Sequence, residues 1–176
     1  MKYPSLLFGL LFQISMTTTM HALSEESIKA AYLERFAMFI EWPNPIERYN
    51  VCVYNDDAFV TTLERAYASR NFNNRPLNVL SLAAGASSQD LSACTILYYR
   101  GSKPPQNSAQ LSKFQKNSVL VVSDDKDDAK KGGMISFYLE KNAYRFVINQ
   151  RNLTNAKLNA SYKLLNFATV IDTVGQ

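Results

Sequence analysis

Residues 50–82, NVCVYNDDAFVTTLERAYASRNFNNRPLNVLSL, decide the fold. NVCVYN (50–55) is a short β-prone run. In DDAFVTTLERAYAS (56–69) the residues Phe59, Leu63, Ala66 and Tyr67 fall on one helical face, and PLNVLSL (76–82) is β-prone again. Strand, helix and strand in that order open a βαβ unit.

Downstream the alternation continues. AAGASSQD (83–90) reads as a small-residue loop, and CTILYY (94–99) is a nearly continuous apolar run of the kind found in parallel strands buried on both faces. GSKPPQ (101–106) is a loop, 107–116 a short amphipathic helix through Leu111 and Phe114, and SVLVVS (118–123) another strand of the buried type. From 134 the pattern alternates: MISFYLE, then KNA as a turn, then YRFVIN, which predicts a β-hairpin at the sheet edge. Leu158, Tyr162, Leu164, Leu165, Phe167 and Ala168 predict a final helix.

Upstream, Ser24 can cap a helix over 24–41 with Glu25 and Glu26 in its first turn. Ile28, Tyr32, Phe36, Phe39 and Ile40 recur at helical spacing, which calls for one buried face, and Pro43 and Pro45 in WPNP end the helix. The expected fold is a single α/β domain: a mostly parallel sheet, helices on both faces, and a C-terminal antiparallel edge hairpin.

Before this domain lies a different kind of sequence. Lys2 precedes the apolar run LLFGLLFQISM, and three threonines and MHA follow it. This reads as a secretory signal peptide over 1–22, leaving 23–176 as the mature domain. Its apolar part is about ten residues, half of the roughly 20 that a membrane-spanning helix requires. Of 19 lysines and arginines only Lys2 falls in that segment, so 18 remain against 15 acidic residues. The one histidine, His21, is lost as well.

A mature chain without histidine loses Ser/His and Cys/His dyads, histidine-ligated zinc and imidazole acid–base work. The small, scattered basic excess argues against nucleic acid. Cys52 and Cys94 are the only cysteines. In an oxidising compartment an even pair points to a disulfide, with two buried thiols as the competing reading.

Two motifs invite chemistry. KKGGMISF (130–137) places glycines beside lysines, but a phosphate cradle runs into a helix N-terminus, and here Gly132 and Gly133 run into a strand. A positive-φ turn or bulge is the better reading. DDKDD (124–128) clusters carboxylates without the alternation, the sixth-position glycine or the twelfth-position glutamate of a calcium loop, so a solvated loop leading into a helical turn is expected. No G-x-S-x-G elbow and no suggestive acidic pair is present, and the sequence points to no enzyme, cofactor or metal. The sequons at Asn152 and Asn159 are too short to carry weight.

IKAAYLERFAMFIEWP (28–43), VCVYNDDAF (51–59), NNRPLNV (73–79), CTILYY (94–99), SVLVVSD (118–124), GGMISF (132–137), YRFVIN (144–149) and LNASYKLLNFA (158–168) resemble, in order, the YfiR family of exported bacterial regulators. The resemblance implies a periplasmic repressor. It would bind the periplasmic sensor region of an inner-membrane diguanylate cyclase, hold it inactive and so lower cyclic di-GMP and biofilm formation. An OmpA-like outer-membrane lipoprotein would sequester it. The resemblance further implies that Cys52 and Cys94 form the family's disulfide. A second cysteine pair known in some members has no counterpart here, where Ala129 and Ser136 stand nearby. It places a partner surface around the hairpin, on Gly132, Gly133, Ile135, Val147 and Leu153. The sequence leaves open a homodimer, and, as the alternative function, a periplasmic small-molecule binding module or transport accessory with its ligand at the carboxyl ends of the parallel strands.

Overall fold

The computed structural model describes residues 24–101, 105, 114 and 116–173. The expected signal peptide and most of the helix expected over 107–116 lie outside the described residues.

The βαβ unit forms as the spacing predicts. Strand β2 (Tyr49–Tyr54) leads into helix α2 (Asp57–Tyr67), and strand β3 (Leu77–Leu82) returns parallel to β2, with Tyr49 opposite Leu77 and Tyr54 opposite Leu82. The Asp56 side chain starts α2 by accepting from the Phe59 amide at 3.3 Å. Ahead of this unit α1 (Glu25–Phe39) begins at Ser24 as expected, and β1 (Ile40–Glu41) follows it.

Beyond β3 come α3 (Ser88–Ser92), β4 (Ile96–Tyr99), β5 (Leu120–Ser123), a 3-10 helix (Lys126–Lys130), β6 (Ile135–Glu140), β7 (Ala143–Asn149), α4 (Gln150–Asn155), β8 (Asn159–Ala160), α5 (Tyr162–Leu165) and β9 (Thr169–Ile171). Seven strands make one sheet in the order β3-β2-β4-β5-β6-β7-β9, and β1 pairs with β8 in a separate antiparallel ribbon. All neighbours in the large sheet are parallel except β6 and β7. From β2 the chain moves one way to β3 and then back past β2 to β4, so right-handed crossovers put α2 and α3 on opposite faces. The sheet is α/β and mostly parallel, as expected.

Three sequence expectations are corrected. The loop over 83–90 contains the start of α3, closed by a capping box in which Ser87 and Asp90 satisfy each other's amides. The hairpin is present, turning at Lys141 and Asn142 with φ of 49° and 60°, but it is not the sheet edge because β9 pairs parallel with β7. The single C-terminal helix is instead α4, β8, α5 and β9: Lys157 at φ 58° and the β1–β8 pairing break the helical path.

The core lies on both sides of the sheet. β4 and β5 are buried along their whole length, consistent with strands covered on both faces. On one side α1 docks on the hairpin through four aromatic rings: Phe36 lies 5.6 Å from Phe137 and 5.2 Å from Phe146, and Tyr32 lies 5.6 and 5.5 Å from the same two. Such pairs add about 1 kcal/mol each beyond the area they bury. Packing of α1 on the hairpin therefore fixes how the N-terminal helix sits over the C-terminal half.

Candidate functional site

The glycine pair acts through its backbone. Gly132 has φ 114°, a conformation that only glycine adopts without strain. At Gly133 a Cβ would lie 2.9 Å from the Asp128 carbonyl oxygen, whose bond to the Gly133 amide is 2.8 Å. The Asn152 side chain then donates to the Gly133 carbonyl at 2.8 Å, and Asn149 donates to the Ala129 carbonyl at 2.7 Å. The pair therefore folds the 3-10 helix tightly under the start of β6, and α4 is tied to the same place by two buried asparagines.

Ile135, Val147 and Leu153 are 0, 3 and 1 % exposed. Side chains so deeply buried cannot touch another protein in this fold, so their expected direct contact is corrected. They shape the hairpin and α4 from inside, and any docking surface there must be built by their neighbours. The spacing that made them conspicuous is that of core residues.

Cys52 of β2 and Cys94, just ahead of β4, are joined by a disulfide with Cα atoms 5.7 Å apart. Both are buried, and the bridge ties the segment after α3 to β2, next to the edge strand β3, across a sequence separation of 42. It contributes about 4 kcal/mol on the chain-entropy model. No free cysteine remains among the described residues.

At the carboxyl ends of the parallel strands, where the strand order reverses and open sheets often bind ligands, the charged side chains pair with one another. Arg100, after β4, donates to Asp56 at 2.6 Å, and Lys29 of α1 donates to Asp124 at 2.9 Å and to Glu25. Asp124 also accepts from the Gly101 amide at 2.7 Å and the Tyr98 hydroxyl at 3.0 Å. Burial opposes its charge, but the Gly101 amide and Lys29 outweigh burial and hold the carboxyl below its ordinary value. Burial and the adjacent Asp124 push the Tyr98 phenol up. Lys29 is 2 % exposed, and nothing in the periodicity of α1 marks it as an inward lysine. The loop DDKDD is likewise less solvated than expected, since Asp124 and Asp128 turn inward while Asp125 and Asp127 stay exposed. Among the described residues no group of three or more His, Cys, Asp or Glu could hold a metal ion.

An open groove of about 900 Å³ lies alongside α1. The stripe Ile28, Tyr32, Phe36, Phe39 and Ile40 divides here. Phe36 and Ile40 enter the core beside Ala30, Leu33 and Ala37, whereas Ile28, Tyr32 and Phe39 are half-buried and line the groove. α1 is thus apolar on two sides, a pattern that belongs to a helix covered on both. The far walls are Ala66 and Tyr67 of α2, Arg145 and Phe146 of β7, and Leu164 with the exposed Phe167 at and after α5. Phe167 is 76 % exposed. Around the rim stand Arg35, Arg145 and Lys163, while Arg70 is paired with Glu34. The lining is apolar and the rim basic. Sequence reasoning missed the groove because periodicity assigns α1 one buried face and α5 was read within a longer helix. No helix among the described residues is long and apolar enough to cross a membrane.

The family model described as YfiR/HmsC-like matches residues 26–169, nearly all of the described chain. No curated protein matches. Among solved structures, a conserved domain protein from Vibrio cholerae superposes with a TM-score of 0.59 at 11% identity, covering 81% of this chain and 60% of that one. This likeness is one of fold, and the chain spans about three fifths of that structure's length. The ABC domain in complex with L-Trp from Streptococcus pneumoniae is more distant, with a TM-score of 0.45 at 10% identity, covering 70% of this chain and 55% of that chain.

Proposed function

Because this chain belongs to the YfiR/HmsC-like family, we propose that it is an exported, periplasmic regulator that represses an inner-membrane diguanylate cyclase by binding the cyclase's periplasmic sensor region. Repression lowers cyclic di-GMP and biofilm formation. An OmpA-like outer-membrane lipoprotein relieves it by sequestering the regulator. No catalytic step is required of the chain.

The observation that carries this reading is the second apolar face of α1. Ile28, Tyr32 and Phe39 lie in an open groove beside an exposed Phe167. Contiguous apolar surface of this kind marks an interaction site. The basic rim of Arg35, Arg145 and Lys163 fits a partner segment that is apolar at its centre and acidic at its flanks. The hairpin takes part through the exposed Arg145, with the buried Phe146 only forming the floor behind it, rather than through Ile135 and Val147.

The experiment compares cyclic di-GMP in cells that carry the cognate cyclase, with and without the gene. A rise on deletion is expected, and an unchanged level sinks the repressor reading. A second reading has one observation behind it: the groove volume lies within the roughly 300–1,000 Å³ typical of small-molecule sites. A thermal shift with a periplasmic small-molecule pool, and no membrane partner retained on crosslinking, favours a binding module instead.

A further inference from the structure

Asp128 lies in the 3-10 helix beneath the glycine turn and is 7 % exposed. Its Oδ2 atom is buried with no hydrogen-bond partner among the described residues. The Tyr99 hydroxyl of β4 and the Ser123 hydroxyl of β5 lie near the carboxyl, and the Ser123 hydroxyl bonds to the Asp125 carbonyl at 3.3 Å and to Ser136 of β6 at 3.0 Å. The charged groups that face it are Asp125 and Lys131, from either end of its own turn. From the hairpin it meets backbone only, the Gly133 amide on its carbonyl, and α4 reaches the turn through the neutral side chains of Asn149 and Asn152.

A carboxylate in this place is desolvated, lacks a partner for one oxygen and faces a like charge, whereas the neutral acid gives up far less solvation. The same backbone that carries Asp128 holds Gly133. We propose that Asp128 is a proton-controlled lock on the Gly132–Gly133 turn: the neutral acid seats the 3-10 helix under the hairpin, and ionisation loosens it.

Burial first, and Asp125 second, push this carboxyl above its ordinary value. A group raised in the folded state contributes stability that is complete below its unfolded value, near 3.9 for aspartate, and is lost as pH rises through the folded one. Asp124 has the opposite sign, since its contribution is present above the unfolded value and is lost as pH falls through the folded one. The two contributions therefore change with pH in opposite directions.

The test is thermal unfolding of the purified exported protein and of Asp128→Asn from pH 4 to pH 9, with hydrogen exchange at the Gly133 amide corrected for intrinsic rate. The two proteins are expected to differ least at pH 4. As pH rises the asparagine variant gains on the wild type by several degrees, while Gly133 protection falls about tenfold in the wild type and stays level in the variant. A melting-temperature gap that does not change with pH, or level Gly133 protection in the wild type, overturns the proposal. Should Asp128→Asn fail to fold, Asp125→Asn keeps an oxygen to cap the turn and removes the facing charge. In Asp125→Asn the pH-dependent transition then lies at lower pH than in the wild type, and an unmoved midpoint overturns the proposal. Because the readouts are stability and exchange, failure here leaves the repressor reading untouched.

Discussion

The two halves of the sheet are finished to different degrees. In the half built from β2, β3, β4 and β5, strands are parallel, the charges at their carboxyl ends pair with one another, and a disulfide ties the connecting segment to the sheet. In the half built from β6, β7 and β9, short elements follow one another and the helix above them keeps an uncovered apolar face. The first half satisfies itself. The second leaves a groove open among the described residues, and the proposed docking surface therefore lies away from the strand ends where an α/β sheet usually carries its ligand.

The contrast can be broken from the finished side. Cys94→Ser removes the bridge and is expected to cost about 4 kcal/mol, read as a lower denaturation midpoint with the slope retained. Unchanged stability with the bridge absent would show that the first half does not depend on it. Lys29→Met leaves Asp124 with its amide and phenol partners but without its buried cation, an expected loss of about 3 kcal/mol at neutral pH. The loss should shrink as pH falls through the Asp124 titration, because a protonated Asp124 no longer requires the lysine. A loss that is independent of pH would assign Lys29 a packing role only.

Gly133→Ala tests the seam between the halves. The added Cβ meets backbone rather than a flexible side chain, so the 3-10 helix must move, at an expected cost of about 2 kcal/mol. A neutral outcome would mean that the turn is looser than its contacts indicate.

Legibility in the sequence followed the same division. The βαβ unit, β4 and β5 could be read because each is long enough for its period to show and is bounded by turn residues. The hairpin could be read from alternation and a Lys141–Asn142 turn whose two residues adopt positive φ. What followed could not: helices of six and four residues give too few turns for a period, and β9 is three residues long. The site was misread for a related reason. Ile135, Val147 and Leu153 are conspicuous because they are core, whereas the groove depends on Ile28 and Phe39 packing less deeply than Phe36, a difference that spacing alone does not carry. Lys29 and Asp128 are inward charges whose partners lie far along the chain or in a turn, and only the fold brings them together.

Phe167→Asp has the smallest expected effect on stability, within about 0.5 kcal/mol, because the ring is already in solvent. It places a negative, polar group in an apolar groove whose rim selects acidic flanks. The direct measurement is therefore cyclic di-GMP in cells that carry the cognate cyclase and express either wild type or Phe167→Asp at equal abundance. The account predicts a rise to the level of the deletion strain with the melting temperature unchanged. Wild-type cyclic di-GMP in the variant would contradict the groove as the docking surface.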